Sequence, residues 1–441
     1  MLGAQLPPVT ALPFVALLLA IALMPLIAPG WWHLNRNKAL VVTLISLPVL
    51  TYFLLGLGVE GRELLHEKFH EYLSFIVVIA ALFVVAGGIH IQGSFAGTPA
   101  VNTSVLAVGA VLANILGTTG ASVLLIRPLL RANKRRKRVA HTVIFFIFIV
   151  ANCAGLLTPI GDPPLLLGFL KGVPFDWTLR LWPQWLLINA ALLFIFFCWD
   201  TWALNKDEVE LPGSQHDEVK IHEPLRVRGT AELLILVGIL TTIISAGRAA
   251  AAGHPWHRNL QEVLIALLAL IGYLAGSQER RVKNEFAFGP IIEVAVLFAG
   301  IFVTMTPMLE LLNAHAGELG LSKPWHFFWT SGGLSSVLDN APTYLVFVAT
   351  AAGLHGVAPH GAYIGALALD STTGGGQLIA AISTGAVFMG ANTYIGNAPN
   401  FMVKAIAEAG GVKMPSFFGY LAYSIGILLP LFLIVSVVFF R

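Results

Sequence analysis

Charge is what this chain has least of. Lys, Arg, Asp and Glu make up 11% of its 441 residues and hydrophobic residues 57%, where a soluble globular domain carries about 25% charged residues. With a mean hydropathy of +0.80, the composition excludes an ordinary soluble domain and points to a polytopic membrane protein. Cysteine is nearly absent: Cys153 and Cys198 both sit in apolar runs, so neither a disulfide framework nor a Cys-based metal site is available. No basic region precedes the first apolar run and no small-residue cleavage site follows it, so that run reads as a retained helix. No HExxH, GxSxG or ATP-binding motif occurs, and Gly374-Gly375-Gly376 lacks the strand and helix of a phosphate loop. Enzymatic and ATP-driven functions are therefore not expected, and nothing points to nucleic acid.

What is abundant is apolar sequence in runs of spanning length, about 20 residues each. They lie near 11–28, 38–58, 72–92, 179–203, 229–248, 259–276, 290–312 and 416–440. Two pairs of shorter segments read as re-entrant helical hairpins, 101–132 with its tip at 117–122, and 326–353 with its tip at 339–343. Two further runs, 141–172 and 377–410, are interrupted at 157–164 and 392–399. The layout repeats: 1–203 and 229–441 each hold five spans, one of them broken, and one hairpin, joined by a polar linker, 204–228. The expected fold is an all-α membrane protein built from two repeats.

Five crossings per half invert the second repeat relative to the first. Loops on one side would hold 16 of the 26 Lys and Arg residues, including Arg131, Lys134, Arg135, Arg136, Lys137 and Arg138, against 6 opposite (Arg62, Lys68, Arg180, Arg248, Arg258, Lys323). The positive-inside rule makes the first side cytoplasmic and puts both termini outside. The basic run 134–138 then serves as a topology and lipid-headgroup anchor.

The interruptions carry the chemistry. Thr158-Pro159-Ile160-Gly161-Asp162-Pro163-Pro164 has an echo 235 residues later, Thr393-Tyr394-Ile395-Gly396-Asn397-Ala398-Pro399. Non-helical backbone at membrane depth survives only where it is buried in protein or lines a wet cavity. Matched breaks in two halves mark the binding site of a secondary transporter. Oxygen donors gather there: Thr118, Thr119 and Ser122 at the first tip, Thr158, Gly161 and Asp162 in the first break. Asp339, Asn340 and Thr343 mark the second tip, and Asn392, Thr393, Gly396 and Asn397 the second break. Such a set suits a small hard cation such as Na+.

The segments GTTGASVLLIRPLLRANKRRK, TPIGDPPLLLGFLKGVPF and SVLDNAPTYLVF resemble the ion transporter superfamily, and within it NhaD-type sodium/proton antiporters and citrate-transporter-like proteins. The resemblance spans essentially the whole chain. It implies a homodimer in a bacterial inner membrane, with a scaffold and an elevator-like transport domain that holds hairpins and broken helices. The dicarboxylate carriers of the group have Ser-Asn-Thr at both tips, where this chain has Gly-Thr-Thr and Asp-Asn-Ala.

Asp162 and Asp339 are the sharpest candidates, because a central membrane charge costs roughly 2.5–3.5 kcal/mol on insertion scales. Capping of a half-helix, worth about 1 kcal/mol, is the plainer alternative for each. Asp370 and Glu293 are secondary candidates, with Glu310 an interfacial one. Arg127 could pair with an acid or hold an anion, and Lys171 and Lys404 read as side chains that snorkel to the interface. The histidines, among them His66 and His70, read as loop residues without metal spacing. The first expectation is Na+/H+ exchange at these acids; the alternative is a Na+- or H+-coupled carrier of citrate or another organic anion. A channel is disfavoured, since no polar pore stripe is visible.

Overall fold

In a computed structural model the chain is 78% helical. The structure describes residues 2–93, 96–210, 226–257, 259–370, 372 and 374–441. Most of the linker 204–228, together with Arg258, Ser371, Thr373, His216 and His222, lies outside the described residues. Among the described residues, eight helical segments are long and apolar enough to cross a membrane, and the protein is an integral membrane protein. Its outer helices confirm what their composition demands. α1 (Leu12–Ile27), α2 (Asn35–Thr51), α8 (Thr230–Ala251) and α9 (Leu260–Ala275) leave large aliphatic side chains such as Leu44, Leu234 and Leu274 exposed. Such faces suit lipid or an apolar protein partner, not water.

The innermost helix is the opposite case. α5 (Ala140–Ile149) is apolar all round and buried from His141 to Ile149, as a helix without a polar face must be.

One of the eight apolar segments does not cross. α4 (Pro99–Ala132) has a single non-helical residue, Gly117, at φ +74° and ψ 158°, a conformation that glycine adopts freely. A straight helix would hold residues 102 and 133 about 46 Å apart. Instead the Asn102 and Asn133 side chains exchange two hydrogen bonds of 2.9 Å. The chain therefore doubles back at Gly117 into two arms, and the expected hairpin is present. Its turn is tighter than the expected tip 117–122, because Thr118, Thr119 and Ser122 already lie on the return arm.

The second hairpin pairs α11 (Pro324–Ser335) with α12 (Asn340–Leu354). Its turn occupies 336–339 rather than 339–343, so Thr343 is helical and donates to the Asp339 carbonyl at 2.9 Å. α11 packs closely on α14 (Gly375–Met389). A Cβ at Gly385 would stand 2.4 Å from the Phe328 carbonyl oxygen, the kind of close approach small residues permit between membrane helices.

Both broken helices are broken where expected, with wider gaps. The first stops at Ile149, passes an irregular stretch, and resumes as α6 (Pro163–Leu170). The second stops at Met389 and resumes as α15 (Ala398–Ala409).

Other expectations need correction. The span expected at 72–92 is α3 (Gly58–Ala86), which starts 14 residues earlier, so His66 and His70 are helical rather than loop residues. Past its end, His90–Gln92 (β1) pairs antiparallel with Arg226–Arg228 (β2), a small ribbon where an all-α fold is expected from the sequence. A short helix, α13 (Tyr363–Leu369), fills a stretch that reads as loop. α7 (Trp182–Glu210), α10 (Gly289–Ala314) and the apolar span Phe417–Phe439 complete the described helices used below.

Candidate functional site

The two breaks share one backbone design. Asp162 has φ −146° and ψ 146°, Asn397 φ −151° and ψ 141°, and each precedes a helix with proline in its first turn. Extended backbone before an N1 or N2 proline is how a helix is started. Both breaks are also closed by a glycine contact. A Cβ at Gly161 would stand 2.3 Å from the Gly155 oxygen, and one at Gly396 2.6 Å from the Gly390 oxygen. Any side chain at either glycine would prise the loop open.

Asp162 occupies a helix-cap position without capping. Its side chain makes no bond to its own helix. Instead the carboxylate, 1% exposed, accepts three hydrogen bonds from three other elements. Thr118 Oγ1 of the return arm donates to Oδ1 at 2.9 Å. Asn397 Nδ2 of the second break donates to the same oxygen at 3.1 Å, and Asn340 Nδ2 of the second hairpin donates to Oδ2. Both hairpin tips and both breaks thus meet at one carboxylate. All three partners are neutral.

The surroundings hold the freed backbone. Thr118 N–H donates to the Gly161 carbonyl at 2.8 Å, which ties the first tip to the first break. Asn114 accepts from Leu157 N–H at 2.9 Å and its carbonyl accepts from Thr158 Oγ1 at 2.6 Å. Ser336 plays the matching part in the second half: Thr393 Oγ1 donates to its carbonyl and Asn392 Nδ2 to its hydroxyl. Asn400 Nδ2 donates to the Gly390 and Thr393 carbonyls at 2.8 and 2.9 Å, and Asn152 reaches Asn400 at 2.7 Å. Asn114, Asn152, Ser336 and Asn400 are not among the residues that sequence reasoning picks out, although lone amides inside apolar runs are themselves a signal.

Among the described residues, four buried oxygens at these elements have no protein partner: Asn340 Oδ1, Ser122 Oγ, Asn392 Oδ1 and Asn152 Oδ1. A buried polar oxygen left unpaired is costly, so these atoms have the capacity to accept a hydrogen bond or ligate a cation.

The remaining candidates fall elsewhere or in other roles. Asp339 is half-buried and accepts from Ala341 N–H at 3.1 Å, so it caps α12, the plainer of its two readings. It lies one residue from Asn340 and hence beside the site. Thr158, Thr343 and Thr393 spend their hydroxyls on backbone carbonyls, and Thr119 is half-buried on the return arm. Glu293 is not at the site: it pairs with Lys38 at 2.7 Å. Arg127 is away from it too, paired with Glu285 at 2.7 Å. Asp370 accepts from Thr372 in a local turn. Lys404 pairs with Glu408 along its own helix at 2.9 Å. Lys171 does not snorkel. It is 1% exposed and bound to Glu71 at 2.7 Å, because a stretch that reads as loop in the sequence is helical and brings an acid of α3 against it.

A bundle of lipid-facing helices around broken helices and hairpin tips that meet at a buried acid defines a membrane transporter. A family model described as "Putative citrate transport" matches residues 3–440, and the chain belongs to that transporter family. No curated protein matches it.

Proposed function

We propose that the chain is a cation-coupled secondary transporter, and that it exchanges Na+ for protons at Asp162. The observation that carries this reading is the buried carboxylate held only by neutral donors from both tips and both breaks. A charge at membrane depth without a protein cation needs a proton or a metal cation to balance it. One carboxylate that takes either, but not both, couples their movements. Thr118, Asn340, Asn397 and the oxygens of Ser122 and Asn392 would supply neutral ligands to Na+. Turning an Asn carboxamide presents its oxygen in place of its N–H.

The architecture that fits this reading is two inverted repeats, 1–203 and 229–441, working as a homodimer in a bacterial inner membrane with both termini outside. The matched backbone of the two breaks supports it. Single cysteines at Lys137 and His254 are then expected to label from opposite sides of sealed vesicles; labelling from one side removes the inversion.

The family description favours a second reading, a Na+- or H+-coupled carrier of citrate or a similar anion. There Asp162 still carries the coupling ion, and the anion lies against the N-termini of α6 and α15, which favour negative charge. Purified protein in liposomes separates the two. An external Na+ or Li+ pulse that alkalinises the lumen without citrate supports exchange. Citrate uptake, with no proton movement on Na+ alone, replaces it by the second reading.

A further inference from the structure

The position of Asp162 depends on a very short helix. α6 has eight residues, with Asp162 immediately before it and Lys171 immediately after it, so about 12 Å of helix joins the two. Lys171 is a fully buried cation outside the site described above. Its Nζ lies 2.7 Å from Glu71 Oε1 on α3, and Lys68 Nζ, nearly one turn earlier on α3, lies 3.0 Å from the same oxygen. The end of α6 is held twice more. The Lys171 carbonyl accepts from Gly365 N–H of α13 at 3.0 Å, and Nζ stands 5.2 Å from the centre of the Tyr363 ring. Glu71 also lines a cavity of about 410 Å³ with His66, Glu67, His70 and Glu262. These groups do not form a metal-holding set among the described residues. What the cluster does hold is the far end of the helix that Asp162 begins.

We infer that Lys171 is a positioning residue of the ion site. Through Glu71 it fixes the height and rotation of α6 against the long helix α3, and so the place of the Asp162 carboxylate relative to Thr118, Asn340 and Asn397. Lys68 keeps Glu71 charged and oriented when α6 moves. The inference rests on the transport role proposed for Asp162, and it assigns the Lys68–Glu71–Lys171 triad to the coupling of that site rather than to packing alone. Breaking a buried pair also costs stability, so the test needs a readout that stability does not move.

The full-length protein in liposomes supplies it, as Lys171→Met, Glu71→Gln and the exchange Glu71→Lys/Lys171→Glu, which again places one acid between two amines. Both single variants should raise the half-saturating Na+ concentration about tenfold or more, the usual range for groups that orient a ligand, with a smaller loss of maximal rate. The charge exchange should bring it back toward the parent. A second readout needs no substrate: the rate at which a maleimide labels a single cysteine at Thr119, in a Cys153→Ala/Cys198→Ala background. The single variants should shift that rate severalfold and the exchange should restore it. Unchanged half-saturation and labelling in Lys171→Met overturn the inference, and so does a charge exchange no better than the single variants or not folded. If the parent moves no Na+, the sodium assignment fails, while the labelling comparison still decides the role of Lys171.

Discussion

Asp162 and Asp200 are both almost wholly buried, and they are buried in opposite ways. Asp200, on α7, is 0% exposed. It is ringed by Arg136 at 2.6 Å, His141 at 2.8 Å and Asn102 at 2.9 Å. Those partners come from the first arm of α4, the basic loop after it and the start of α5, so one charge ties the base of the hairpin to its neighbours. Asp162 is 1% exposed and has only hydroxyl and amide partners. A compensated charge such as Asp200 is a strut, whose partners the protein itself provides. An uncompensated one is an open valence, to be filled by what the protein carries. Burial alone does not distinguish the two; the sign of the neighbours does.

Asp162→Asn sharpens the contrast most. It keeps the size and most hydrogen bonds of the side chain but has no negative charge to balance a cation and no site for the exchanged proton. Na+-dependent proton flux is expected to fall by about 100-fold or more, equivalent to about 2.7 kcal/mol of barrier, while the purified protein stays folded. Asp200→Asn should do the reverse. It strips Arg136 of its counter-charge, and breaking a buried pair costs about 3–5 kcal/mol. A clearly lower melting temperature in detergent is expected, with coupling retained by the molecules that remain folded. A stable Asp200→Asn that no longer couples would erase the distinction.

Smaller effects grade the ring around Asp162. Asn340→Ala and Asn397→Ala each remove one neutral donor and, in the proposed mechanism, one ligand oxygen. An increase of about tenfold in half-saturating Na+, with exchange preserved, is expected from groups of this kind. Asp339→Asn should matter least, because its carboxylate caps α12 and an asparagine caps about as well. Flux assays over a range of Na+ concentrations rank all three.

How much of this is legible in the sequence follows from what hydropathy can register. Glycine, proline and carboxyl or amide side chains inside apolar runs locate both breaks and both hairpins, since each is a visible interruption. The matched pair Asp162 and Asn397 can be aligned for the same reason. The first 14 residues of α3 read as loop because Glu63, His66, Glu67 and Lys68 lower its hydropathy. They are helical all the same, because charged groups of one face meet each other and Lys171. That pairing is hidden: Glu71 and Lys171 are 100 residues apart, and no local pattern announces a long-range ion pair. The difference in role between Asp162 and Asp339 is hidden as well. Both are acids next to a helix start, and only the folded chain shows that Asp339 reaches its own helix while Asp162 turns away from its own. The β ribbon of His90–Gln92 with Arg226–Arg228 is too short to leave a period-2 signature.

The most direct test is an external Na+ pulse applied to liposomes that hold the parent, Asp162→Asn or Asp339→Asn, with lumenal pH followed by a trapped dye. The lumen should become alkaline with the parent and with Asp339→Asn, and stay flat with Asp162→Asn at every Na+ concentration. Exchange by Asp162→Asn at the parent's rate, with Asp339→Asn silent, would place the coupling charge on the other acid and contradict the assignment of coupling to Asp162.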